Sequence, residues 1–418
     1  MGEPAVSVII PTYNRRDELR QTLEALAAQE FPAAEFEVIV ADDGSSDDSA
    51  EVAASFDGPL RLKYIWQEDL GYRAAAARNF GARQAAAPIF AFLDCGTLPG
   101  PGFVGGHLAA HSAPGRRAVL GYCYGYDGLR EKKRVPDSFG TVSLPEVVQR
   151  NADDPLFRDI RHNEFARVGF DLMKFAVPWT YFTTMNCSMR AAEFWAVGGF
   201  DEMFESWGME DTELGYRLFR NGVALTLSLD AWTFELPVDR AVMLRLSSLM
   251  RNVCMFHDKF REPFVELLAD GLCHLELATT EADAAMLAHW TEQARELDVA
   301  AEIESALREL PTGAKVVVFG CGGSVPASLP PAALLDFDAA LLAKATADGY
   351  HVGYHAIGLR TELAAKSADA VIVTSRLRGL WPRYRERITA EAQRVGRRVL
   401  QRDHDHRAPL LSGYMRDG

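Results

Sequence analysis

Short apolar runs recur through the first hundred residues, each closed by a polar cluster and followed by helical spacing. This alternation limits the fold more than any other feature of the chain. Val6–Ile10 is an apolar run that closes at Pro11, the pattern of a parallel strand buried on both faces. Leu19, Leu23 and Leu26 follow at helical spacing, after an Asn14-x-x-Asp17 sequence that reads as a capping box with Asp in place of Glu. Phe36–Ala41 is a second run, stopped by Asp42-Asp43-Gly44-Ser45, and Leu62–Trp66 is a third. Residues 73–87 are Ala-rich and helical, and Pro88 precedes a fourth strand, Ile89–Leu93, ending at Asp94. Such repetition predicts an open, mainly parallel α/β sheet of Rossmann type. Ligands of such sheets bind at the carboxyl ends of the strands.

Further along, 98–106 reads as a loop, and 127–178 as a polar, charged elaboration on the acceptor side. Residues 179–190 resume a strand-like pattern, and 211–221 is helical. Residues 240–310 read as several helices. After Pro311-Thr312-Gly313 the pattern changes again, with a strand at Val316–Phe319, the cluster Gly320-Cys321-Gly322-Gly323-Ser324, a strand at Ala370–Thr374 and a helix over 383–395. The chain of 418 residues therefore divides into an α/β domain over 1–239, a helical segment over 240–310 and a small Rossmann-like α/β domain over 311–418.

Charge and cysteine usage narrow the function. With 44 Lys+Arg against 58 Asp+Glu the net charge is −14, which argues against a nucleic-acid or anionic-membrane binder. Six cysteines form no C-x-x-C pair, so a reduced, cytoplasmic setting is expected. Cys254, His257, Cys273 and His274 read as incidental polar residues on a helix pair rather than zinc ligands. No apolar run approaches the roughly 18 residues of a membrane helix, and the N-terminus lacks the basic start of a signal peptide.

Five polar clusters carry the chemistry. They are Pro11-Thr12-Tyr13-Asn14-Arg15, Asp42-Asp43-Gly44-Ser45, Gly71-Tyr72 through Arg78-Asn79, Asp94-Cys95-Gly96, and Gly198-Gly199-Phe200-Asp201-Glu202 with Trp207-Gly208-Met209-Glu210-Asp211. Each alone has an ordinary reading as a turn or helix start. Their order and spacing together resemble the family-2 nucleotide-sugar glycosyltransferases with the GT-A fold, over roughly residues 5–240. The stretch Tyr64 to Tyr72, with Arg78-Asn79, Phe92 to Cys95 and Asn186-Cys187-Ser188, is similar to the chondroitin-polymerase branch.

The resemblance implies inverting transfer from a UDP-sugar to a hydroxyl acceptor. It places the base on Asp211 and acceptor orientation on Glu210, with Trp207 and Gly208 forming the acceptor platform. It assigns the nucleotide sugar to Pro11, Thr12, Tyr13, Asn14, Asp42, Asp43, Gly71, Tyr72, Arg78 and Asp94, with Arg78 bracing a carboxylate or the diphosphate. Asp43 is expected in an exposed turn. A helix start is expected to leave Asp211 near its ordinary pKa. The acceptor is either a small natural product, such as a cyclitol or aminoglycoside-type scaffold, or a saccharide. Donor sugar and oligomeric state stay open. The alternative is a non-catalytic sugar-nucleotide or glycan-binding protein derived from the fold.

The chain departs from that family at the metal. The Asp-x-Asp motif that binds Mn²⁺ or Mg²⁺ reads Asp94-Cys95-Gly96, and the segment Asp230 to Glu235 has no histidine. Asp94 is the one ligand left, with Glu235 a substitute, so the cation is expected to be weakly held or dispensable. Arg73, Arg78 and Arg240 are then the cations available to the leaving diphosphate. The C-terminal glycine cluster, followed by Asp336 and Asp338, resembles a degenerate methyltransferase or dinucleotide module. Pro326, Pro330 and Pro331 crowd the place of its helix, and a structural or partner-binding role is expected.

Overall fold

The apolar runs of the first hundred residues are strands that pair in parallel. β1 (Val6–Thr12), β2 (Phe36–Asp42), β3 (Leu62–Trp66) and β4 (Ile89–Leu93) alternate with α1 (Arg16–Ala27), α2 (Ser49–Ala54) and α3 (Ala74–Gln84). Val6, Val8, Ile9 and Ile10 are fully buried, each such side chain contributing about 1.5–3 kcal/mol. Their continuous apolarity is what a strand covered on both faces requires.

The sheet is completed by β5 (Thr97–Pro99), β6 (Arg117–Tyr124), β7 (Asn186–Arg190) and β8 (Ala224–Glu235). Around them lie α4 (Phe103–Ala110), α5 (Leu144–Asn151), α6 (His162–Arg167), α7 (Ala191–Ala196), α8 (Glu210–Arg220) and α9 (Val242–Phe260). The strand order is β3-β2-β1-β4-β7-β6-β8-β5. β7 runs antiparallel to both β4 and β6, and β5 antiparallel to β8. This is the mixed, mainly parallel α/β sheet of a GT-A fold, with the Pro11–Arg15, Asp42–Ser45 and Asp94–Gly96 clusters at strand ends.

The computed structural model describes residues 2–127, 136–236, 242–276 and 279–402. The chain forms two compact units, one ending at Asn252 and one beginning at Val253. In the second unit β9 (Val316–Phe319), β10 (Ala333–Asp336), β11 (Val352–His355), β12 (Ala368–Val373) and β13 (Gly396–Gln401) form a wholly parallel sheet in the order β11-β10-β9-β12-β13. Its helices are α10 (Pro263–Cys273), α11 (Thr280–Ala294), α12 (Ala300–Leu307), α13 (Ala339–Ala345) and α14 (Trp381–Val395). Among the described residues no helix is long and apolar enough to cross a membrane.

Several local expectations change. The stretch 98–106 is not one loop: it holds most of β5 and the start of α4. The strand-like pattern of 179–190 becomes strand only from Asn186, because Pro178 opens a 3-10 turn over Pro178–Tyr181. The Asn14 capping box does not form. α1 begins at Arg16 with no side-chain cap, and Asn14 bonds the loop after β2 instead.

Candidate active site

Three loops at the ends of β1, β2 and β3 are tied together by side chains. Asn14 takes a left-handed backbone, φ 49. Its side-chain oxygen accepts the Ser46 amide at 2.8 Å, while its own amide donates to Ser45 Oγ at 2.7 Å. Asp42 is fully buried. One of its oxygens accepts the Gly44 and Ser45 amides at 3.0 and 2.6 Å, and the other accepts the Tyr64 hydroxyl at 2.8 Å. Burial and then this carboxylate hold the Tyr64 phenol above its ordinary pKa. Asp43 does not sit in an exposed turn. It is 6% exposed, and accepts Gln67 Nε2 at 2.6 Å, the Arg73 amide at 3.1 Å and the Arg73 guanidinium at 2.8 Å.

Gly44 has φ +98, and a β-carbon there would lie 2.4 Å from the Asp69 amide nitrogen, so only glycine fits. Asp69 in turn accepts the Tyr13 hydroxyl at 2.8 Å and the Gly71 amide at 2.9 Å. Pro11 and Thr12 end β1, with Thr12 Oγ1 3.5 Å from Cys95 Sγ. The structure thus brings Pro11–Asn14, Asp42, Asp43 and Gly71 to one end of the sheet. Arg73, not Arg78, braces Asp43.

Arg78 serves a second cluster. It is 5% exposed, and its guanidinium donates to Asp94 Oδ1 at 2.8 Å and to Glu210 Oε1 at 3.2 Å, above the Phe200 ring. Asn79 beside it accepts the Phe200 amide at 2.9 Å and donates to the Phe200 carbonyl and Glu202 Oε1 at 2.9 and 2.8 Å. This pins the Gly-Gly-Phe-Asp-Glu loop to α3. Glu210 opens α8 and is 6% exposed, and its Oε2 has no hydrogen-bond partner among the described residues.

Asp211 follows and is partly buried, accepting the Thr212 amide at 2.7 Å. Burial, then the charge of Glu210, push its carboxyl up to about 7. This corrects the expectation of an ordinary value: desolvation and a second acid outweigh the helix terminus. Tyr72 faces the same charges; burial and then Glu210 hold its hydroxyl above the ordinary range. Arg78 thus pairs with Asp94 and Glu210, and its charge also reaches Asp211.

Of the family's cation ligands the chain keeps Asp94 alone at the Asp-x-Asp position. Asp94 is bound to Arg78, and Gly96 takes φ +90 where a second carboxylate would stand. Thr233 occupies the expected histidine region but is fully buried and accepts Asn186 Nδ2 at 3.1 Å. Glu235 pairs with Thr97 across β5 and β8, which brings it beside the Asp94–Gly96 turn. Among the described residues no three His, Cys, Asp or Glu side chains group to hold a metal. Arg240 lies outside the described residues.

The Glycosyl transferase family 2 profile matches residues 7–177, and the profile described as the N-terminal domain of galactosyltransferase matches residues 166–238. A validoxylamine A glucosyltransferase of Streptomyces hygroscopicus subsp. limoneus is 41% identical over 98% of this chain and 91% of its own. The chain belongs to glycosyltransferase family 2. A second validoxylamine A glucosyltransferase, from Streptomyces hygroscopicus subsp. jinggangensis, is 41% identical over 95% of this chain and 97% of its own. Chondroitin synthase of Escherichia coli is 32% identical over 52% of this chain and 32% of its own. Membership makes the chain a glycosyltransferase that uses a nucleotide sugar.

Sequence reasoning marked Asn186 without its bonds and missed several other residues that support this family-2 site. Asn186 on β7 donates to the Ala231 carbonyl at 2.8 Å and bonds His107 Nε2 at 2.9 Å, locking β7, β8 and α4 together. Burial pushes His107 down to about 3, so it is a neutral bonding partner. Arg161 clamps Asp159 and lies 4.9 Å from the Tyr126 ring centroid. Asp211 and Glu235 both raise the Tyr126 phenol, after burial. Tyr126, Asp159 and Arg161 lie in the polar stretch 127–178 or just before it, where no motif marks them, and His107 stands within the small, apolar run of α4.

The C-terminal glycine cluster closes on itself. Asp336 and Arg376 are both fully buried and paired at 2.7 and 3.1 Å, and the Gly322 and Asp338 amides complete the carboxylate at 2.8 and 2.9 Å. The acid that would hold a ribose in a dinucleotide module is spent on an internal ion pair.

Proposed function

We propose that this enzyme transfers a glucosyl group from UDP-glucose, with inversion, to a hydroxyl of a cyclitol-type small acceptor. The two relatives at 41% identity, both validoxylamine A glucosyltransferases, support the sugar and the acceptor class. The observation that carries the chemistry is the placement of Asp211 at the head of α8 beside Glu210, which Arg78 ties to Asp94; burial and the second acid raise the pKa of the Asp211 carboxyl. A base poised near neutral pH takes a proton most effectively in the transition state.

In the reading, the acceptor hydroxyl loses its proton to Asp211 as its oxygen attacks the anomeric carbon. The bond from that carbon to the diphosphate oxygen breaks on the opposite face, its electron pair leaving with UDP. Glu210 keeps Asp211 basic by its charge and orients the acceptor. Trp207 offers an apolar face to the acceptor ring. Asp43 and the β1 end hold the nucleoside, and the buried Asp42 shapes the loop beneath them. A cation would find Asp94 as its protein ligand, and no step here depends on one.

The test is incubation with a panel of nucleotide sugars and a cyclitol-type acceptor, following free nucleotide and product by NMR. UDP release with UDP-glucose and a β-linked product is the expected outcome. An α-linked product would refute inversion, and turnover confined to another nucleotide would refute the donor.

A further inference from the structure

The turn that carries Trp207 is held from outside the stretch the family profiles match. Gly208 and Met209 are consecutive left-handed residues, at φ +97 and 76. A methionine there is strained and persists only where its neighbours hold it. The hold comes from α9, beyond residue 238 where the second profile match ends. Asn252 is 1% exposed. Its side-chain amide nitrogen reaches three successive carbonyls, Gly208 at 2.7 Å, Ser206 at 3.0 Å and Trp207 at 3.4 Å, and its oxygen accepts the Ser206 hydroxyl at 3.0 Å. An amide has two hydrogens, so the three carbonyls share them, and the shortest bond goes to the residue before the strained methionine.

The same face of α9 makes two more contacts. Leu249 Cδ1 lies 3.0 Å from where a β-carbon of residue 208 would sit, so nothing larger than glycine fits without displacing it. The Arg245 guanidinium lies 4.8 Å from the Trp207 ring centroid. Positions 245, 249 and 252 follow the i, i+4, i+7 spacing of one helical face. The turn runs directly into Glu210 and Asp211 at the head of α8. Its geometry therefore sets the distance between the Trp207 face and the base.

We infer that Asn252 is a positioning residue for the acceptor site, fixing the Trp207–Gly208 turn against the head of α8. The inference rests on the reading of Trp207 as acceptor platform and Asp211 as base. Among the described residues the hydrogen bonds of the Asn252 side chain go to residues 206–208 and not to the donor loops at the ends of β1, β2 and β3, which assigns its role to the acceptor side.

The test uses full-length Asn252→Ala and Asn252→Gln variants, with UDP affinity by calorimetry and steady-state transfer to the acceptor. Asn252→Ala should lower kcat/KM for the acceptor by about 10- to 100-fold, the scale of a misplaced reacting group, while UDP affinity stays at the wild-type value. Asn252→Gln keeps the amide hydrogens and should recover part of the loss. A purely structural role would reduce the active fraction and leave KM unchanged, and that result would overturn the inference. If the wild type transfers nothing from UDP-glucose, the functional reading falls, and amide exchange decides the positioning separately. Faster exchange confined to residues 206–211 in Asn252→Ala supports it; unchanged exchange there overturns it.

Discussion

Each of the two sheets ends a parallel strand on an aspartate that meets an arginine, Asp94 with Arg78 and Asp336 with Arg376. The second pair is closed. Both side chains are fully buried, two backbone amides complete the carboxylate, and Arg376 also covers the Phe337 ring at 4.8 Å. The first is open. The Asp94 side chain is 39% exposed, Arg78 divides itself between Asp94 and Glu210, and Asp211 adds a third acid. Similar residue types at similar strand ends thus do different work. A pair that balances its charge is a structural tie, whereas neighbouring acids raise a pKa, as the proposed base at Asp211 requires.

The largest expected effect is at the open cluster. Asp211→Asn keeps the shape and removes the proton acceptor, so turnover should fall about 10²- to 10⁴-fold while UDP affinity is kept. The sign for stability is opposite. A carboxyl whose folded pKa is raised from 3.8 to about 7 costs stability progressively as pH rises through that window. Asp211→Asn should therefore melt higher than wild type at about pH 8. Near wild-type turnover would break the contrast.

The closed pair should show the reverse. Arg376→Met leaves Asp336 buried and unpaired, with an expected loss of about 3–5 kcal/mol in unfolding free energy and unchanged turnover per folded molecule. Loss of activity without loss of stability would mean that this strand end holds more than structure.

Much of this contrast was legible in the sequence, and some was not. The apolar runs ending at Pro11, Asp42 and Asp94 mark strands because burial on both faces leaves little other use for them. The strand β6 is concealed by Gly121 at its centre, a poor strand former. The fold explains it: a β-carbon there would lie 2.1 Å from the Asn186 amide. The Trp207-to-Asp211 segment was recognisable, but its electrostatics were not. The pairing of Arg78 with Glu210 spans 132 positions, and no local spacing predicts that. The same holds for Arg73 on Asp43 and for Asn252 on the 206–208 carbonyls, which only the packed chain brings together.

A smaller effect is expected from metal. With Asp94 tied to Arg78 and no other grouped ligands among the described residues, activity should be insensitive to EDTA or respond only to about 1 mM or more of Mg²⁺, a cation that keeps several waters. Gly96→Asp should not restore a tight site, because φ +90 strains an L residue there. Abolition by EDTA with rescue by micromolar Mn²⁺ would show that the open cluster is completed by a cation, with Glu235 the first residue to replace.

The most direct test of the open cluster is the pH dependence of kcat/KM for the acceptor, which reports the ionisation of the free enzyme. A base that must be deprotonated and whose carboxyl lies at about 7 gives a rate that climbs about tenfold per pH unit below the break and levels above it. Glu210→Gln removes the neighbouring negative charge and should move that break to lower pH. A profile flat from about pH 5 to 9, or a break left in place by Glu210→Gln, would contradict the assignment of Asp211 at the head of α8 as the base.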